Sequence, residues 1–337
     1  MQTTKKTRHR PMVNTARAAA VLMAGAALAH SASANDESGY PNKPVRLVVG
    51  FAAGGPTDVI ARAFAEYAGR KLGQSFIVDN KPGANTILAA QAVSSAPADG
   101  YTLLFGAVNH SMIPALYSAR VKFDAVQSFR PICSVASSPT ALVVGPAMKE
   151  RSVEGFLSVA RAKPGSITVG SPGVGSSGHF AMEMFIHANG ARLNHIPYKG
   201  ASQAVTDLMG GQLDASFATL GSVLPQLRAK QLTALAVASP KRSTLLPDVP
   251  TLSEKGAGRF TVDAWYGVLA PAKVPSAIAQ TLETVAREFG ADAATQSRMR
   301  EMGMDSVSVC GEPFARQLQN ESQTYTRIAR ELRISAD

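Results

Sequence analysis

From about residue 45 onward, short β-branched runs alternate with apolar positions spaced for helices. Val45-Arg46-Leu47-Val48-Val49 is a strand candidate, a glycine-rich stretch follows it, and Ile60, Ala63, Phe64, Tyr67 and Lys71-Leu72 then recur at helical spacing. Gly73 is placed to end that helix as a left-handed cap. Phe76-Ile77-Val78 predicts the next strand, Asn80 to Thr86 a loop, Ile87 to Val93 an alanine-rich helix, Asp99-Gly100 a turn, and Thr102 to Phe105 a third strand. The pattern restarts at Ser152, which is placed to cap a helix running to about Arg161. Lys163-Pro164-Gly165 turns the chain into the strand Ile167-Thr168-Val169, and a second glycine-rich loop opens a second helix in which Met182, Met184 and Phe185 are packing residues.

Strands alternating with helices predict parallel or mixed sheets covered on both faces, with ligands at the carboxyl ends of the strands. Two such units follow one another. A polar, proline-rich stretch from Ser239 to Pro250 reads as a surface connection before a strand over Val262 to Ala270, and a second crossing is placed near Ser137 to Thr140. These crossings predict a first lobe in two pieces, residues 35–139 and 261–337, and a second lobe over 140–260, with a hinge between them.

Residues 1–34 read differently. Lys5, Lys6, Arg8, Arg10 and Arg17 precede an acid-free apolar run, Ala18 to Ala29, that ends in Ala32-Ser33-Ala34. This is the order of a secretory signal peptide, with cleavage expected after Ala34 and the mature chain in the periplasm. A run of about a dozen residues is shorter than the roughly 20 that span a bilayer, which disfavours a retained anchor. Losing the five basic residues takes the formal net charge from +10 to +5. The remaining charge is scattered and aromatic residues are few, so a nucleic-acid partner is not expected. Export also permits a bridge between Cys133 and Cys310, the only cysteines; two buried thiols is the other reading.

Chemistry is expected on two loops. Gly50 to Asp58 joins the first strand to the first helix, where glycines let backbone approach a ligand and the helix start offers unpaired N–H groups at a positive dipole end. Such a site suits a carboxylate or phosphate. Thr57 or Asp58 either caps the helix or touches ligand. Ser171 to Gly178 is the second loop and contains a formal G-x-G-x-x-G. The acidic residue that a dinucleotide site needs about 20 positions later is missing, since the chain there reads His195-Ile196-Pro197-Tyr198-Lys199-Gly200. Ser176, Ser177 and backbone amides are therefore read as a second anion cradle. No G-x-S-x-G elbow is present and the histidines at 110, 179, 187 and 195 match no H-E-x-x-H site. No catalytic residue, metal or cofactor is expected, although His179 at the start of the second helix could touch ligand.

Tyr40-Pro41-x-Lys43-Pro44 leading into the first strand, the Phe51 to Asp58 loop, Asn80-Lys-Pro-Gly-Ala84, Asp99-Gly-Tyr-Thr-Leu-Leu104, His195 to Gly200 and the Leu245 to Thr251 stretch occur in that order. Together they resemble the substrate-binding proteins of tripartite tricarboxylate transporters, also called Bug receptors, over essentially the whole chain from Tyr40. The resemblance implies an α/β, two-lobed periplasmic binding protein of the type II, Venus flytrap kind, with a mixed sheet flanked by helices in each lobe. It implies a monomeric receptor, not an enzyme, that closes on a small carboxylate (a di- or tricarboxylate, amino acid or aromatic acid) and presents it to membrane permease subunits or, alternatively, to a sensor kinase. An exported α/β enzyme is the remaining alternative. Carried onto this chain, the ligand grip is Ala53, Gly55, Thr57 and Asp58 in the first lobe and Ser171, Gly175, Ser176 and Ser177 in the second, with Tyr198 and Thr219 nearby. Two departures stand out: Asn85-Thr86 where the family has glycines, so that Asn85 either caps a helix or reaches the ligand, and Gly50 where proline is common.

Overall fold

The structure, a computed structural model, describes residues 1–5, 39–118 and 121–334. The signal peptide and its cleavage after Ala34 lie outside the described residues. The chain divides into two units, Met1–Tyr40 and Pro41–Asp337, and all the elements below belong to the second.

Strand β1 (Val45–Val49), helix α1 (Pro56–Leu72) and strand β2 (Phe76–Asn80) follow the predicted order. Pro56 opens α1 in the first turn, where a missing N–H costs nothing. Gly73 closes it at φ 68°, its N–H bonded to the Gly69 carbonyl. A single 3-10 turn, Ala84–Thr86, leads into α2 (Ile87–Ser94), β3 (Thr102–Ala107) and α3 (Asn109–Tyr117). The next strand, β4 (Phe129–Val144), is 16 residues long.

Beyond it come α4 (Val153–Ala162), β5 (Thr168–Ser171), α5 (Ser177–Asn189) and β6 (Asn194–Pro197). The Ser152 side chain caps α4 by accepting from the Gly155 N–H at 3.0 Å. Then follow α6 (Ala201–Met209), β7 (Ala215–Thr219), α7 (Leu220–Arg228) and β8 (Thr233–Val237). The chain ends with β9 (Asp263–Pro271), α8 (Ser276–Ala291), α9 (Ala293–Glu301), β10 (Asp305–Cys310) and α10 (Glu312–Leu332).

The strands form one mixed sheet in the order β2-β1-β3-β9-β4-β7-β5-β6, with β10 and β8 also paired to β4. It has two halves. β2, β1 and β3 run parallel on one side, and β6, β5 and β7 run parallel on the other. β4 belongs to both: Phe129 to Pro139 pair with β9, and Thr140 to Val144 with β7. Each half has its own aromatic core. Phe64 sits 6.1 Å from Phe105 and 5.4 Å from Phe289 in the first, and Phe185 sits 5.4 Å from Phe217 and 6.0 Å from Phe156 in the second.

The stretch from Ser239 to Val262 is more than a surface connection. Val237 donates to the Pro250 carbonyl, Leu252 to Val237 and Val262 to Ala238, and Leu252 and Ala257 are buried. Pro247 and Pro250 lack the N–H groups for a full ladder, so the segment reaches only an isolated bridge, Val237 to Thr251.

Cys133 and Cys310 face each other on β4 and β10 and form a disulfide. It joins positions 177 residues apart, so it restricts the unfolded chain strongly. Replacing both cysteines (Cys133→Ala with Cys310→Ala) is expected to lower stability by about 2–4 kcal/mol, read as an earlier urea midpoint; an unchanged midpoint would show that the bridge contributes nothing.

Candidate functional site

The first glycine-rich loop is fixed from beneath by Asp58. Its carboxylate accepts from the Gly54 N–H at 2.9 Å, from Arg62 at 3.0 and 2.9 Å and from the Asn80 amide at 2.9 Å. The same Asn80 amide donates to the Phe51 carbonyl at 3.0 Å. Burial opposes ionisation of Asp58, but hydrogen bonds from Arg62, Gly54 and Asn80 outweigh it and hold the carboxyl below its ordinary range. Gly54 takes φ 83°, and Gly55 and Pro56 start α1, so the first amides of that helix face the space in front of the loop.

The second loop is built in the same way from different residues. Ser176 caps α5 by accepting from the His179 N–H at 3.3 Å. Gly173 and Gly175 adopt φ 133° and 78°, and a Cβ on Gly178 would lie 2.3 Å from the Phe217 carbonyl. The G-x-G-x-x-G spacing therefore answers to two turn conformations and one close helix-to-strand approach. Behind the loop, His179 and His195 stack with ring centroids 4.4 Å apart and planes 8° from parallel. His179 Nδ1 accepts from the Gly175 N–H at 3.1 Å, which puts its own proton on Nε2, and His195 Nε2 is 2.7 Å from the Ser171 hydroxyl. Burial, and for His179 the neighbouring ring, push the two imidazoles down to about 3 and about 4. Glu183 lies 3.7 Å from His179, but burial raises that carboxyl while His179 is neutral, so the contact is no ion pair at neutral pH.

Both loops open on one cavity of about 850 Å³ between the halves of the sheet. Ala53, Gly55, Thr57, Asn85, Ser176, Ser177, Tyr198 and Thr219 line it, and Ala264 and Tyr266 of β9 also contribute. Asp58, Ser171 and Gly175 do not line it. Asp58 is spent on Gly54, Arg62 and Asn80, Ser171 on His195, and the Gly175 N–H on His179. They shape the loops from behind. Tyr198 presents its ring while its hydroxyl donates to Asp207 at 2.6 Å, and the Thr219 hydroxyl is 2.9 Å from that of Ser222.

Helices α1, α2, α3, α5, α6 and α7 all begin at this wall, through Thr57, Thr86, Asn109, Ser177, Ala201 and the α7 cap Thr219. Lys199 is the one charged side chain among the described residues that line it. Converging helix starts without a lining acid produce a positive potential with no fixed counter-charge, which favours an anion. No group of three metal-ligating side chains occurs among the described residues.

Asn109, Lys199, Ser222 and Tyr266 escaped the sequence reading. Asn109 could have been found, because it starts a helix after β3 as Thr57 does after β1. Tyr266 lies on a strand distant in sequence and carries no local signal. The turn Ala84-Asn85-Thr86 holds three consecutive non-glycine residues at φ 46°, 48° and 73°, a conformation that costs about 1 kcal/mol or more per ordinary residue. Neither Asn85 nor Thr86 caps α2 with its side chain. The two departures from the family pattern meet here: a Cβ on Gly50 would lie 2.6 Å from the Thr86 Cβ.

Residues 60–334 match the tripartite tricarboxylate transporter family receptor. Protein BugT of Bordetella pertussis is 35% identical over 257 residues, 74% of this chain and 76% of that protein. The structure of the periplasmic binding protein BugD superposes with a TM-score of 0.82 at 30% identity, covering 88% of this chain and 99% of that one. A Rhodopseudomonas palustris protein solved with adipate gives 0.83 at 31% identity, again over 88% and 99%.

Two outcomes follow from the loops. Gly50→Ala should destabilise the fold by about 1–3 kcal/mol through overpacking, and adding Thr86→Gly should restore part of that loss. A double-mutant cycle by urea unfolding with no coupling between the two positions would refute the contact. The histidine pair is neutral when folded but takes protons near pH 6.5 when unfolded. Its contribution to stability is thus complete above about pH 6.5 and is lost progressively as the pH falls toward 4. Urea midpoints between pH 7.5 and 4.5 should accordingly drop less steeply in a His179→Gln/His195→Gln variant than in the parent; equal slopes would place the acid sensitivity elsewhere.

Proposed function

Because the chain belongs to the tripartite tricarboxylate transporter receptor family, we propose that it captures a small carboxylate in the cavity between the two sheet halves and delivers it to membrane permease subunits. It is a solute-binding receptor and not an enzyme, as that family is. The reading is carried by the set of helix starts around a cavity that has no lining acid. A carboxylic acid with a pKa near 4 is an anion at neutral pH. It can be held by the free amides of α1 and α5 and by the hydroxyls of Thr57, Ser176 and Ser177 without an arginine. The adipate found in the Rhodopseudomonas palustris relative supports the same ligand class here.

The working cycle we propose is a hinge motion between a lobe of residues 35–139 with 261–337 and a lobe of residues 140–260. β4 passes from the first to the second at Pro139 and Thr140, and Ala264 and Tyr266 of β9 line the cavity beside it. Closure around the anion removes water and strengthens the charge-assisted bonds, which requires that the closed form bind the ligand more tightly than the open one. The mature receptor is taken to act as a periplasmic monomer after leader removal.

A thermal-shift screen of the mature protein against adipate, C4 dicarboxylates, amino acids and aromatic acids, each beside its neutral amide, tests this. A ligand at 100 times its Kd should add about 2.7 kcal/mol. Stabilisation by an acid and not by its amide supports the anion cradle; stabilisation by amides alone, or by no acid in the panel, contradicts it.

A further inference from the structure

Asn85 lines the cavity, and its side chain joins the two halves of the protein directly. Its Nδ2 donates to the Gly175 carbonyl at 3.0 Å, so a turn that follows β2 reaches the loop that follows β5. The amide cannot swing freely, since its Oδ1 accepts from the Asn109 amide. The backbone beneath it is held at positive φ from Ala84 to Thr86. On the opposite side, the Gly175 N–H is anchored to His179. The Gly175 peptide is thus gripped by one half through its oxygen and by its own half through its nitrogen.

Space around this contact is as closely fitted as the hydrogen bonds. A Cβ on Gly175 would stand 2.6 Å from Asn85 Nδ2, 3.0 Å from Leu116 and 3.4 Å from Tyr117. The Tyr117 hydroxyl also lies 3.4 Å from the Val174 carbonyl. Every group in this contact belongs to the protein.

We propose that Asn85 is a closure latch: a positioning residue that favours the closed form through protein groups alone and so sets part of the receptor's affinity independently of ligand chemistry. This rests on the hinge motion proposed above. One hydrogen bond of ordinary net strength shifts the closed-to-open ratio about fivefold.

The test uses small-angle scattering of the mature protein with no added solute, where a compact chain of this size has a radius of gyration of about 19 Å. Asn85→Gly removes the amide while glycine accepts the positive φ without strain, and a cooperative melt shows that the variant is folded. A larger radius for Asn85→Gly than for the parent supports the latch; equal radii overturn it. A wedge variant, Val174→Trp, separates the two ways of failing. If the wedge expands the protein while Asn85→Gly does not, the hinge stands and the latch is wrong. If neither expands, the hinge itself is wrong and the latch falls with it.

Discussion

β4 pairs with β9 and β10 along its first part and with β7 and β8 along its last, so the backbone hydrogen bonds of both halves are borne by one strand. The constraint is sharpest at Ser138, two residues before β4 takes up its new partner at Thr140. This side chain is fully buried, donates to the Gly303 carbonyl at 2.8 Å and accepts from the Gly221 N–H at 2.9 Å. A buried hydroxyl must be satisfied, and here the two partners come from opposite halves, the turn before β10 and the first turn of α7. The junction is thereby specified by polar groups as well as by the strand itself, while the aromatic clusters on either side remain separate.

Given that junction, the placement of the cavity follows from topology. Parallel strands on both sides deliver their chains to helices at the same edge, and every such connection leaves the first amides of a helix without intrahelical partners. The supports of these loops lie behind them: Asp58 with Arg62 and Asn80 on one side, His179 with His195 on the other. Residues facing the cavity are mostly small or uncharged, and the titratable groups sit one layer back. That division lets the supporting groups keep their partners while the front of each loop meets a solute.

Much of this was legible along the chain. Val45 to Val49, the Gly73 cap, the Ser152 cap and both glycine-rich loops announce themselves locally, through β-branched runs, left-handed turns and caps whose chemistry is complete within a few residues. Non-local features were not legible. A crossing near Ser137 to Thr140 is expected, but not that β4 runs unbroken through Pro139 and exchanges β9 for β7 there, because both partners lie far away in sequence. Asp58 was evenly balanced between helix support and ligand contact, and its partner Asn80, 22 residues away, decides its place behind the loop. His179 reads from sequence as a possible ligand contact, and its stacking on His195 behind the loop is not legible there because it depends on strands and a helix packing together. The Gly50 and Thr86 positions are the instructive case, since each alone looks like an arbitrary change and only their contact makes them one accommodation.

The bridge between Cys133 and Cys310 has a consequence for how the protein is made. Its second sulfur belongs to β10, 177 residues after the first, so β4 is made far earlier than its covalent partner. During synthesis β4 therefore stays without its covalent fastening until β10 has been made. β9, its longest-paired neighbour, is late as well. Without β10 one edge of the first part of β4 is unpaired and Cys133 has no mate, so the covalent lock can close only after the non-covalent sheet around it has been assembled.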